Sequence, residues 1–146
     1  MTHRLSALQS LWATTDADLI KDITEDNITD FEQKHRISIP TDLQEYFLYL
    51  NGSRGEYDDN FFRFYPLDNF LNVRFKFEDW IGMPYYKDLN QTLFPIEECF
   101  VFADYLFHSL TLAIHLYKDK ESVLDNYIYC LCGGKYKIVA KSFTEF

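Results

Sequence analysis

Apolar residues recur at helix spacing in the first third of the chain and at strand spacing in much of the rest. Leu5, Leu8 and Trp12 stand three and four apart, which is the repeat of one helix face, before Ala13-Thr-Thr-Asp16 breaks it. A second helix is predicted from Thr24. Its hydroxyl can accept from the free N–H groups of the first turn, Ile23 is placed to staple onto Ile28, and Glu25 and Asp26 suit the positive end of the helix dipole. Ile28, Phe31 and His35 then share a face. Ile37-Ser38-Ile39-Pro40 is expected to be extended, because a residue before proline avoids the helical region. Pro40 or Thr41 opens a further helix with Leu43, Phe47 and Leu50 inward, and Asn51-Gly52 stands where a left-handed cap would end it.

After the turn from Asn51 to Asn60 the period becomes two. Five or six strands are predicted, from the candidates Phe61 to Tyr65, Leu71 to Phe77, Cys99 to Ala103, Leu110 to Leu116, Tyr127 to Cys132 and Lys135 to Ala140. Gly133-Gly134 forms a two-residue hairpin loop that tolerates positive φ at both positions. Glu78 to Glu97 has no regular pattern and carries Trp80, Met83, Pro84, Tyr85, Tyr86 and Phe94; a stretch of that length is usually functional or locally structured. Ser142 to Phe146 reads as the stub of a C-terminal helix. Helices first and strands afterwards argue for an α+β fold, with helices on one face of a mainly antiparallel sheet of five or six strands and the other face partly polar and accessible. Alternation sets Val73, Phe75 and Phe77 against Arg74 and Lys76, and Leu110, Leu112, Ile114 and Leu116 against Thr111 and His115.

Length and composition agree with one domain over residues 1–146. The chain is 47% hydrophobic and 18% aromatic, enough for a core without disulfides. Its 23 acidic and 14 basic side chains give a net charge of -9, which disfavours nucleic acid and anionic membrane as partners and favours a basic one. Seven of those nine charges fall in residues 1–60. The N-terminus lacks the pattern of a secretory signal and no apolar run is long enough to span a bilayer, so a cytoplasmic protein is expected.

Candidate chemistry is sparse. Cys99, Cys130 and Cys132 suit neither a disulfide framework nor a zinc site, and are read as buried thiols. Asp104 and His108 stand four apart and Glu97 adjoins Glu98, but no hydrolase, phosphate-loop or metalloprotease motif accompanies them. The pattern therefore predicts no catalysis, no metal and no cofactor.

The block from Ile28 to Gly52 resembles the N-terminal signature of the SMI1/KNR4 (SUKH) superfamily. That signature is a helix with Phe31-Glu32, an extended segment ending at Pro40, a second helix with Phe47-Leu48, and then Asn51-Gly52. The segments Phe64 to Phe70 and Phe100 to Asp104 are similar to downstream parts of the same family. Ile39 before Pro40, Ser53 after Gly52 and Ala103 before Asp104 depart from the usual residues. The resemblance implies an α+β protein without enzymatic activity. In bacteria it implies a cytoplasmic immunity protein that binds and blocks a polymorphic toxin, often a nuclease; fungal relatives imply a regulatory or scaffold module instead.

Three surfaces are candidates for a protein partner, expected to be a toxin domain with a basic surface, and the partly polar sheet face is one of them. Glu56, Asp58 and Asp59 form an acidic cluster in the turn before the strands, suited to steering a basic partner. Trp80, Tyr85 and Tyr86 are of the types that anchor interfaces, although such residues also fill cores.

Overall fold

The computed structural model describes residues 3–12, 22–53, 55–93, 95–118 and 125–146. Three helices come first: α1 (His3–Trp12), α2 (Glu25–His35) and α3 (Thr41–Tyr49). Thr24 caps α2 as its sequence predicts, its Oγ1 accepting from the Asn27 N–H at 3.3 Å while the Asn27 side chain accepts from the Thr24 N–H at 2.9 Å. Thr24→Ala removes that reciprocal cap and is expected to lower stability by about 1 kcal/mol, read as a fall in the thermal midpoint of about 2–4 °C. Pro40 precedes α3 in an extended conformation, and Asn51 and Gly52 follow it at φ 47° and 93°. The interruption expected at Ala13 to Asp16 and the side chain of Phe94 lie outside the described residues.

The sheet contains β1 (Phe62–Phe64), β2 (Leu71–Asn72), β3 (Cys99–Tyr105), β4 (Leu110–His115), β5 (Ile128–Cys132) and β6 (Lys135–Ala140). All pairs are antiparallel, in the order β1-β3-β4-β5-β6, with β2 pairing on β3 beyond β1. The α+β fold read from the sequence is thus present.

Four local expectations change. The strand predicted from Leu71 to Phe77 stops at Asn72, whose Oδ1 accepts from the Phe75 N–H at 2.8 Å and starts the one-turn helix α4 (Val73–Lys76). Val73 and Phe77 are four apart, so a helical turn buries both while leaving Phe75 exposed; a strand would have grouped all three. The hairpin loop has positive φ only at Gly133 (58°). Gly134 answers a different need, since a Cβ there would lie 2.5 Å from the Asp88 Cβ. The tail from Ser142 forms turns without a helix, and Cys132 is exposed although Cys99 is buried.

The largest difference concerns the outer face of the sheet. The helices bury Phe100, Phe102, Leu112 and Ile114 in one core, as expected. A second core covers the other face, where Val101, Ala113, Tyr129 and Leu131 meet Val73, Phe77, Tyr86 and Leu89. The irregular stretch after β2, including the short helix α5 (Leu89–Thr92), is therefore a lid over the sheet. That face is closed over β3 to β5, whereas β6 stays open to solvent, with Tyr136 and Ile138 exposed.

A bulge decides which residues this lid meets. Val101 pairs with Ala113, but Ala103 pairs with Leu112, so the register skips a residue at Phe102. Without the skip, alternation from Val101 would aim Asp104 at the helices. With it, Asp104 lies on the lid side, in register with Arg63 of β1 and Thr111 of β4.

Candidate functional site

The register brings four connections to one end of the sheet: the turn before β1, the β3–β4 turn (106–109), the β5–β6 turn at Gly133, and the loop around Trp80 to Asp88. Contacts tie them together. The Leu106 N–H donates to the Phe61 carbonyl at 2.9 Å, the Tyr57 and Phe107 rings lie 4.8 Å apart, and the Trp80 ring lies 5.0 Å from that of His108. Gly133 fits against Pro84 and the backbone of Tyr85, where an added Cβ would stand 3.3 Å from each. The acidic turn and the aromatic loop, 20 residues apart in the chain, thus flank the same β3–β4 turn.

Asp104 is the hub beneath that end, with a side chain wholly removed from solvent. Its Oδ1 accepts from the Tyr57 hydroxyl (2.5 Å) and the His108 N–H (3.2 Å); its Oδ2 accepts from the Tyr65 hydroxyl (2.5 Å) and Arg63 Nε (3.0 Å). Arg63 also reaches His108 Nε2 at 3.3 Å and lies over the Tyr57 ring at 4.7 Å. Tyr86 donates to the His108 carbonyl at 2.6 Å and accepts from Thr111 Oγ1 at 3.2 Å.

The electrostatics follow from this packing. Burial works against a charged Asp104, but the hydrogen bonds from Tyr57 and Tyr65 and the positive charge beside it prevail and hold its carboxyl below the usual range. Burial, then the bond to Asp104 and its charge, push the Tyr57 hydroxyl up to about 12 and raise that of Tyr65 further. His108 is held below the ordinary imidazole value by burial first, with Lys76 and Arg63 opposing a proton that Asp104 favours. Four donors occupy the acceptor positions of one carboxylate, and both phenols stay protonated. The cluster is built as a clamp that ties β1, β3 and the β3–β4 turn together.

The acidic candidates divide. Glu56 and Asp59 are exposed, whereas Asp58 shapes the turn: its Oδ1 accepts from the Asn60 and Phe62 N–H groups at 2.9 and 3.0 Å, and its Oδ2 from Trp12 Nε1 at 3.3 Å. The aromatic candidates divide as well. Tyr86 is fully buried and stacks on Phe77 with ring centroids 4.2 Å apart, Trp80 is half-buried with its Nε1 donating to the Pro84 carbonyl at 2.8 Å, and Tyr85 is exposed. Ile81 and Met83 stand out further, at 93% and 86% exposure.

The residues of the N-terminal signature hold the scaffold. Phe31 packs on Phe70 and Phe100, and Phe47 and Leu48 join the helix-side core. Glu32 accepts from the Ile39 N–H at 2.8 Å and pins the extended segment before Pro40, while Asn51 accepts from the Leu67 N–H at 2.8 Å.

Sequence reasoning missed Arg63, Tyr57, Tyr65 and Phe107. A lone arginine inside the aromatic run Phe61 to Tyr65 was the available signal, since a charge in a strand needs a partner across the sheet. Elsewhere, a cleft of about 460 Å³ opens beside α2, floored by Phe31 and Phe70 and rimmed by Asp30, Lys34 and Asp68. No group of three or more metal-ligating side chains occurs among the described residues, and none of their helices is long and apolar enough to cross a membrane.

Two cores sharing one sheet, with a hydrogen-bonded clamp around Asp104 at one end, make this an α+β domain. Residues 22–146 match the SMI1 / KNR4 family (SUKH-1), and the chain belongs to it. That family is generally one of non-enzymatic binding domains, which suggests a protein partner. A search of curated proteins finds no match.

Proposed function

We propose that this protein is an immunity protein that binds a polymorphic toxin and neutralises it by covering its active surface. The supporting observation is the family match over residues 22–146 in a chain of net charge -9 that exposes the apolar side chains Ile81, Met83 and Phe107 in the connections at one end of the sheet. Glu56, Asp59, Glu78, Asp79 and Asp88 are exposed in the connections at this end of the sheet. A toxin with a basic substrate channel, such as a nuclease, complements that charge.

Co-expression tests the reading. A host carrying the reading frame adjacent on the native chromosome is expected to die without this protein and to grow with it. Continued killing in its presence, or an adjacent product that harms nothing, rejects it. The charged rim has its own signature: Glu56→Lys with Asp59→Lys is expected to slow association about tenfold at low salt with the thermal midpoint unchanged, the difference shrinking as salt screens the exposed charges. Stopped-flow mixing across an ionic-strength series reads it.

A further inference from the structure

We propose that Phe107, carried on a left-handed β3–β4 turn, is the anchor that inserts into an apolar pocket on a basic partner protein. This rests on the toxin-binding reading above and adds the contact that holds the complex together.

Three observations meet at this turn. Leu106, Phe107 and His108 have φ of 44°, 52° and 63°, so three consecutive residues with side chains occupy a region that favours glycine. The turn between Tyr105 and Leu110 contains no glycine to relieve it. Second, the conformation is enforced from below: Asp104 accepts from the His108 N–H, Tyr86 donates to the His108 carbonyl, and the His108 ring is packed against Trp80 and Phe77. Strain of this kind persists only where the surroundings over-determine it, and it concentrates at binding sites. Third, Phe107 gains little from the fold in return. It is 75% exposed and its ring lies 4.8 Å from that of Tyr57, while the backbone on either side is held by hydrogen bonds from Leu106 and to His108.

A large apolar ring held out on a rigid turn loses little freedom when a partner buries it, which is the condition for a residue that dominates binding. The occupant follows from charge. Exposed Glu56 and Asp59 lie beside Tyr57 in the chain, whose ring meets Phe107, and exposed Glu78 and Asp79 precede Trp80, whose ring meets His108. Like charge disfavours a second copy of this chain here, and a pocket rimmed by lysine or arginine fits.

The turn's chemistry supplies the test. Phe107→Gly removes the ring and suits the left-handed backbone, so it is expected to leave the thermal midpoint within about 2 °C of wild type or raise it. The same variant is expected to bind a catalytically inactive form of the adjacent reading frame's product at least about 30-fold more weakly, through faster dissociation. The Glu56→Lys, Asp59→Lys variant should change the association rate instead. If the wild-type protein binds that product and Phe107→Gly binds within threefold of it, the anchor assignment is overturned and the immunity reading stands. If the wild-type protein does not bind it, both fall. A wild-type dimer that Phe107→Gly converts to monomer, seen by sedimentation, assigns the ring to self-association and also overturns the proposal.

Discussion

Asp104→Asn is expected to lower stability by about 3 kcal/mol, a fall of roughly 6–12 °C in the thermal midpoint of a domain this size. The variant keeps the shape of the side chain and removes the charge that Arg63, Tyr57 and Tyr65 all address. An amide nitrogen would then face donors, leaving a buried hydroxyl or the guanidinium without an acceptor. Arg63 retains some contact with water, which keeps the loss at the lower end of the range for a broken buried pair. Combining Asp104→Asn with Arg63→Met should cost less than the two changes summed, because the second removes the charge that the first stranded. A midpoint within about 3 °C of wild type for Asp104→Asn would show that the clamp is dispensable.

Acid gives the same network a second readout. The folded carboxyl of Asp104 titrates below its unfolded value of about 3.9, so its contribution is fully present above that pH and declines as pH falls through the folded value. Asp104→Asn has no such contribution to lose, and its deficit relative to wild type should narrow in acid. His108 and His35 are both held below the ordinary imidazole value, chiefly by burial. The unfolded chain takes up protons there that the folded chain refuses, so wild-type stability starts to decline as pH drops below about 6.5.

Gly52→Ala is the second large effect, expected to cost about 3 kcal/mol from backbone strain and crowding together. Gly52 has φ 93°, where a side chain is strained, and its Cβ would meet Pro66 N at 2.8 Å and the Phe64 carbonyl at 3.0 Å. Both obstacles are backbone, fixed by the Ser53 N–H donating to Phe64 O and by Asn51 accepting from the Leu67 N–H. No rotamer change relieves them. Equilibrium unfolding in urea should show a lower midpoint with an unchanged slope, whereas a wild-type midpoint would mean that the α3-to-β1 connection yields freely.

The same residue shows how local patterns became legible. Asn51-Gly52 announced a left-handed helix end, Thr24 announced a helix start, and Pro40 announced an extended entry, because each rests on backbone conformation within a few residues. The strand expected at Leu71 to Phe77 failed for a related reason. Residues spaced by four and by two overlap in so short a run, and Asn72 tipped the balance by capping a turn. Of the candidate site, the acidic turn and the aromatic loop were visible as composition; their meeting around Phe107 was not, since it depends on the pairing of β1, β3 and β4.

What the sequence determined by itself was therefore the set of elements with local causes: two capped helices, the hairpin at Gly133-Gly134 and the α+β class, together with the acidic excess. Tertiary structure decided how the faces were used. It covered the outer side of β3 to β5 with the segment after β2, turned Tyr86 inward while leaving Tyr85 out, and skipped one residue at Phe102. Strict alternation would have driven the carboxylate of Asp104 into the aromatic core against the helices. The skip places it instead opposite Arg63, where Tyr57 and Tyr65 complete its hydrogen bonds. A period of two carries no information on where it will be broken, because the break is stabilised by partners 39 to 47 residues away in the chain.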